Sequence, residues 1–199
     1  FKNAAKNGSK LIVMDPRGQA LKRYATHMVQ FNPGTDVALL NSIMKIIVDE
    51  NLYDREYISK QTSGFENFKK HLNSFSPEIM TEITGVDPSL VKDIARLFAN
   101  TKKGIIFWGM GISQHIHGTD NARCLISLCL MTGNIGNRGS GLHPLRGQNN
   151  VQGASDAGLI PMMYPDYQLV ENDNIRNNFE NYWKVDLDPN NGLTVVEIM

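Results

Sequence analysis

The chain has 199 residues, 41% of them hydrophobic and 20% charged. That length supports one domain of ordinary size or a crowded pair, buries roughly 70% of the unfolded surface and excludes a disulfide-stapled miniprotein. Twenty Lys and Arg balance twenty Asp and Glu, so no bulk field draws nucleic acid or an anionic membrane, and any partner is recognised locally.

The two cysteines, Cys124 and Cys129, sit five apart in an apolar run, a spacing that suits neither a zinc or redox pair nor a secreted disulfide framework, and they are expected to be reduced core residues. No stretch approaches the ~18 apolar residues of a membrane span. The opening Phe1-Lys-Asn-Ala-Ala-Lys6 lacks a signal-peptide core, and without an initiator Met the chain reads as an internal piece of a longer protein.

Lys10-Leu-Ile-Val-Met14, closed by Asp15-Pro-Arg-Gly18, has the pattern of a buried strand entering a turn, and His27–Phe31 is expected to be a second. After Asn32-Pro-Gly-Thr-Asp36, with Thr35 or Asp36 as cap, Val37, Leu40, Ile43, Met44 and Ile47 recur at helical spacing to about Glu50. Short helices are expected near 54–61 and 64–74, then after Ser76-Pro-Glu78 and after Asp87-Pro88, where a cap is followed by proline at the first helical position. Leu90, Ile94 and Leu97 mark the buried face of that last helix. Gly104–Trp108 is the next strand, Gly109-Met-Gly111 its stop, and a helix runs from about Thr119 to Thr132 with Gly133 as C-cap. The order predicts an α/β fold with a mostly parallel sheet flanked by helices, whose ligands collect at the carboxyl ends of its strands, Asp15-Pro-Arg17 and Gly109-Met-Gly111.

Residues 133–158 hold seven of the 17 glycines with Asn134, Asn137, Gln148, Asn149, Asn150 and Gln152. This predicts a long Gly/Asn/Gln-rich loop, and a loop of that length is usually functional or disordered. Between Gly104 and Val170 only six of 67 residues are charged, too few for a solvated linker. The loop is therefore expected to press amides and glycine N–H groups against a large polar ligand. Arg146 offers a permanent charge and a planar fork suited to carboxylate or phosphate; the alternative is a structural arginine tying loop carbonyls together.

Other motifs weigh less. Gly109-Met-Gly-Ile-Ser-Gln114 follows a strand as a dinucleotide fingerprint does, but Gln114 replaces the third glycine. His115 and His117 lack an acidic or Cys neighbour to complete a metal site and read as loop or cap residues, so no metal ligand is assigned. Asp15 and Asp36 can each accept N–H bonds from a guanine edge or bond ribose hydroxyls, while Asp36 can equally be a plain helix cap.

Together Val13-Met-Asp-Pro-Arg17, Pro33-Gly-Thr-Asp-Val-Ala-Leu-Leu-Asn41, Trp108-Gly-Met-Gly111, Leu130-Met-Thr-Gly-Asn-Ile-Gly136 and Leu145-Arg-Gly-Gln-Asn-Asn-Val-Gln-Gly153 closely resemble the catalytic alpha subunits of molybdenum- or tungsten-dependent formate dehydrogenases. The resemblance implies an internal segment of a bis-molybdopterin guanine dinucleotide oxidoreductase, built from that family's central domains. Residues 1–52 would be a first nucleotide-binding portion, 53–103 a helical portion, 104–163 a second strand and helix with the cofactor and active-site loop, and 164–199 a connecting tail. It implies that Asp15, Arg17, Gly34 and Asp36 hold the guanosine end of one dinucleotide, and that Met110, Gly111 and Gln114 contact the pterin. It further implies that Arg146 orients the formate carboxylate, with Gly147 and Gln148 against the pterin. The metal-bound Cys or selenocysteine and the 4Fe-4S cysteines would lie upstream. Formate and carbon dioxide would be the substrates, other iron-sulfur or electron-transfer subunits the partners and the cytoplasm the location, with no nucleic acid and no membrane insertion. Ser155 and Ala157 stand where relatives often have Cys and Met.

Two other classes compete. A non-catalytic scaffold, such as the large iron-sulfur subunit of an NADH dehydrogenase, is disfavoured by retention of Arg146, because an arginine buried without its anion costs about 3 to 5 kcal/mol. A free-standing nucleotide-binding module rests only on the two strand-end turns.

Overall fold

A computed structural model describes residues 1–199, which divide into two compact units, Phe1–Leu145 and Arg146–Met199. The first contains α1 (Lys2–Lys6), β1 (Ile12–Met14), a 3₁₀ turn (Ala20–Tyr24), β2 (His27–Val29), α2 (Asp36–Asp49), α3 (Arg55–Gln61) and α4 (Phe65–Leu72). It continues through α5 (Pro77–Thr84), α6 (Pro88–Ala99), β3 (Ile105–Trp108), α7 (Met110–Ser113), α8 (Gly118–Met131) and β4 (Gly141–Pro144). No helix is long and apolar enough to cross a membrane.

Helix α2 is the centre of this unit. Its apolar residues wrap more than one face, as expected of a helix buried all round, and Leu39, Met44 and Ile47 are fully buried. Around it pack α4, α5, α6 and α8, closing a core that includes Val29, Leu72, Val91, Ile94, Leu125 and Leu128. The starts of α5 and α6 follow the sequence: Ser76 and Asp87 accept from Ile79 and Ser89 N–H, each ahead of a proline. The buried face of α6 is rotated from the expected one, centring on Val91, Ile94 and Ala95 with Leu90 and Leu97 half-buried. Arg96 of α6 forks onto the Glu50 carboxylate at 2.7 and 2.8 Å and fixes α6 against the end of α2.

The expected sheet is reduced to pairs. β1 lies parallel to β2, with Ile12 opposite His27, and β3 parallel to β4, with Ile105 opposite Gly141, but no strand bonds join the two pairs. The strands have only three or four residues, and the intervening helices bury their apolar faces on one another around α2 rather than on a continuous sheet.

The Gly/Asn/Gln-rich stretch is not one loop. β4 lies within it and pairs with β3, and the first helix of the second unit is α9 (Val151–Asp156). That unit continues with the antiparallel hairpin of β5 (Met163–Tyr164) and β6 (Gln168–Leu169), then α10 (Asp173–Trp183) and α11 (Val195–Ile198). Tyr164, Phe179 and Trp183 stack into its small core, with centroids 4.8 Å apart between Tyr164 and Phe179 and between Phe179 and Trp183.

Candidate cofactor and substrate site

The ends of β1 and β3 open into turns, as the sequence predicts. Past β1, Asp15 accepts the Arg17 N–H at 2.8 Å, Arg17 Nε at 3.3 Å and Gln19 Nε2 at 2.7 Å. Burial raises the Asp15 pKa, but the bonds from Gln19 and Arg17 outweigh it and hold the carboxyl below its ordinary value. Asp15 therefore shapes its own turn, and the Arg17 side chain, 80% exposed, points its remaining donors outward.

Beyond β2, Gly34 takes a left-handed φ of +81° with no atom near where a Cβ would stand, and the chain enters α2. Neither expected cap forms. Thr35 occupies the cap position but donates its hydroxyl to the Asn32 carbonyl at 2.7 Å. Asp36 is the first helical residue, 6% exposed. Its carboxyl is pushed above its ordinary value by burial, opposed by its own N–H and by the charge of His115. No other side chain donates to it, so its carboxyl sits at the helix N-terminus without a side-chain hydrogen-bond donor.

After β3, Met110 and Gly111 fall in the single turn of α7, and Gln114 ends it with its N–H on the Met110 carbonyl at 2.8 Å. Met110, Gly111 and Gln114 are exposed. His117 takes the cap position of α8. His115 lies within reach of the Asp36 charge, which the linear sequence gives no means of seeing. Cys124 and Cys129 are buried and unbridged, as expected, with burial pushing their thiols up to about 11 and about 12.

Arg146, Gly147 and Gln148 begin the second unit and are exposed. Arg146 makes no hydrogen bond or ion pair within the chain, so it ties no loop carbonyls, and the premise of a buried arginine does not apply to this chain. The amides of the stretch divide in two. Asn134 Oδ1 accepts the Gly104 N–H at 2.8 Å, Asn137 donates to the Gly133 carbonyl at 2.7 Å, and Gln152 donates to Asp156 at 3.0 Å. These are internal locks rather than ligand contacts, whereas the side chains of Gln148 and Asn149 stay free and exposed.

Residues 1–194 match the molybdopterin oxidoreductase family. The chain is 43% identical to the alpha subunit of the F420-dependent formate dehydrogenase of Methanocaldococcus jannaschii and 41% identical to formate dehydrogenase H of Escherichia coli, over 98% of its own length in each case. It spans only 29% and 28% of those relatives. Among solved structures, acetylene hydratase from Pelobacter acetylenicus superposes with a TM-score of 0.68 and 30% identity, covering 71% of this chain and 19% of that one. The match across almost the whole chain settles the family: this chain belongs to the molybdopterin oxidoreductases.

Proposed function

We propose that the chain is a segment of a formate dehydrogenase catalytic subunit, which oxidises formate reversibly to carbon dioxide, two electrons and a proton at a molybdenum or tungsten bis-molybdopterin guanine dinucleotide centre. The electrons pass to iron-sulfur clusters and partner subunits of the parent enzyme. The observation that carries the reading is identity of 41–43% with two formate dehydrogenases along 98% of the chain, a span that includes the unpaired Arg146.

The residues fit such a cofactor. The buried Asp36 carboxylate has no side-chain donor of its own and suits the paired N–H groups of a guanine edge. Gly34 and Gly111 have open space where a side chain would stand, so a flat group can lie against the backbone. Asp15 orders the turn from which Arg17 reaches outward, and Met110, Gly111 and Gln114 offer an exposed ledge for the pterin. When bound, the metal centre supplies the two-electron redox chemistry. Arg146 holds both carboxylate oxygens of formate in its fork and so directs the C–H bond, while Gly147 and Gln148 line the cofactor beside it.

The first test is formate-dependent reduction of a viologen dye by the anaerobically purified parent. A parent that carries pterin and metal yet leaves formate untouched would move the reading to another reaction of the family; the likeness to a protein named as a hydratase gives that alternative substance.

Asp36→Asn separates binding from folding. The folded state holds the Asp36 proton more tightly than the unfolded state does. Its contribution to stability is thus favourable at low pH and is lost as pH rises through the raised pKa. At neutral pH the cofactor-free Asn variant is expected to be at least as stable as wild type, by urea unfolding, while the pterin and metal content of the purified parent falls. Full occupancy in the variant would remove Asp36 from the cofactor site.

A further inference from the structure

We propose that Tyr167 is a positioning residue for Arg146: its hydroxyl ties the β5–β6 turn to α9, and α9 anchors the loop that carries the arginine. The inference depends on the formate reading only for what the arginine binds.

Asp166 and Tyr167 both have positive φ, 61° and 55°, the backbone of hairpin turns that glycine and asparagine adopt at least cost. An aromatic side chain in that region is strained. Hairpin closure alone would be served better by glycine, and what tyrosine adds is a hydroxyl. Gln152 Nε2 donates to that hydroxyl at 3.3 Å and to Asp156 Oδ1 at 3.0 Å. The Asp156 carboxylate nearby, with burial, holds the phenol above its ordinary pKa. The turn is thereby tied to α9 at Gln152, whose amide is itself held by Asp156 one helical turn on.

The other end of α9 is fixed by Asn150, itself at φ 52°, whose side chain accepts the Gly153 N–H at 3.2 Å. That side chain lies so close over Gly153 that a Cβ there would approach it to 2.5 Å. The N–H groups of Arg146 to Asn149 donate to no backbone carbonyl. Within its own unit, the arginine is therefore placed by the anchor four residues on, and Tyr167 secures that anchor. A charged fork held off its position pairs less well with a carboxylate.

Tyr167→Phe in the full-length parent removes only the hydroxyl. Amide hydrogen exchange across residues 153–157, whose N–H groups include those bonded to Asn150 and Gly153, is expected to quicken roughly tenfold with metal and pterin content unchanged. The formate KM should rise roughly three- to tenfold with kcat within about twofold, because a displaced arginine loses binding shared by ground and transition states. Gln152→Ala should reproduce the exchange change. Wild-type exchange in Tyr167→Phe would overturn the clamp, and faster exchange with an unchanged formate KM in an active parent would overturn the positioning role. A wild-type parent inert to formate removes the formate reading by itself; the exchange comparison across 153–157, where the N–H groups are bonded, then still decides whether Tyr167 holds the anchor.

Discussion

Arg146→Ala in the parent enzyme is expected to lower kcat/KM for formate at least about a hundredfold, equivalent to about 2.7 kcal/mol of lost transition-state binding, while leaving the unfolding midpoint unchanged. Both halves follow from the arginine's surroundings. It is exposed and has no partner in the chain, so its removal leaves no buried group unsatisfied, and surface changes of that kind usually fall within about 0.5 kcal/mol. On the proposed reading, what is lost is a charge-assisted fork for a small anion. Arg146→Lys keeps the charge without the fork and should lie between, roughly tenfold down, with the rise in KM as the main component. Steady-state kinetics beside a thermal melt check both, and unchanged kcat/KM in the alanine variant would take Arg146 out of substrate binding.

Asn134→Ala should be the most damaging polar substitution, costing about 2 to 4 kcal/mol in urea unfolding of the chain. Asn134 is 1% exposed. Its Oδ1 accepts the Gly104 N–H at 2.8 Å just before β3, its Nδ2 donates to Thr132 Oγ1 at 2.9 Å, and its own N–H bonds the Cys129 carbonyl at 2.9 Å at the end of α8. One side chain thus joins the end of a helix to the start of a strand, and alanine strands the Gly104 donor in a buried site while opening a void. A loss below about 1 kcal/mol would mean that water takes the amide's place.

What the sequence made legible is local. Proline after Ser76 and Asp87 placed the starts of α5 and α6, the three-and-four spacing placed α2, and Gly133, at φ +64°, marked the end of α8. These signals act over one or two helical turns, where capping and turn chemistry decide the outcome. Pairing of strands is a long-range matter, and neither the split into β1–β2 and β3–β4 nor the rotation of α6 toward Val91 is written in periodicity. The site shows the same division. Asp15, Asp36, Met110 and Arg146 enter the proposed site through residue type, turn position and family likeness. Composition could not separate amides spent inside the fold, Asn134 and Asn137, from those left free, Gln148 and Asn149, because that depends on which groups face them in space. Nor could it reveal that Asp36 is buried beside His115, 79 positions away in the chain.

The two cysteines have a use apart from catalysis. Only a thiolate attacks an alkylating reagent, and with thiols held at about 11 and about 12 inside the core, neither sulfur reacts appreciably near neutrality while the fold is closed. Modification must wait until α8 opens away from its neighbours, so its rate follows the opening equilibrium. Two sulfur atoms on α8 make labelling speed a clock for the unfolding of the first unit.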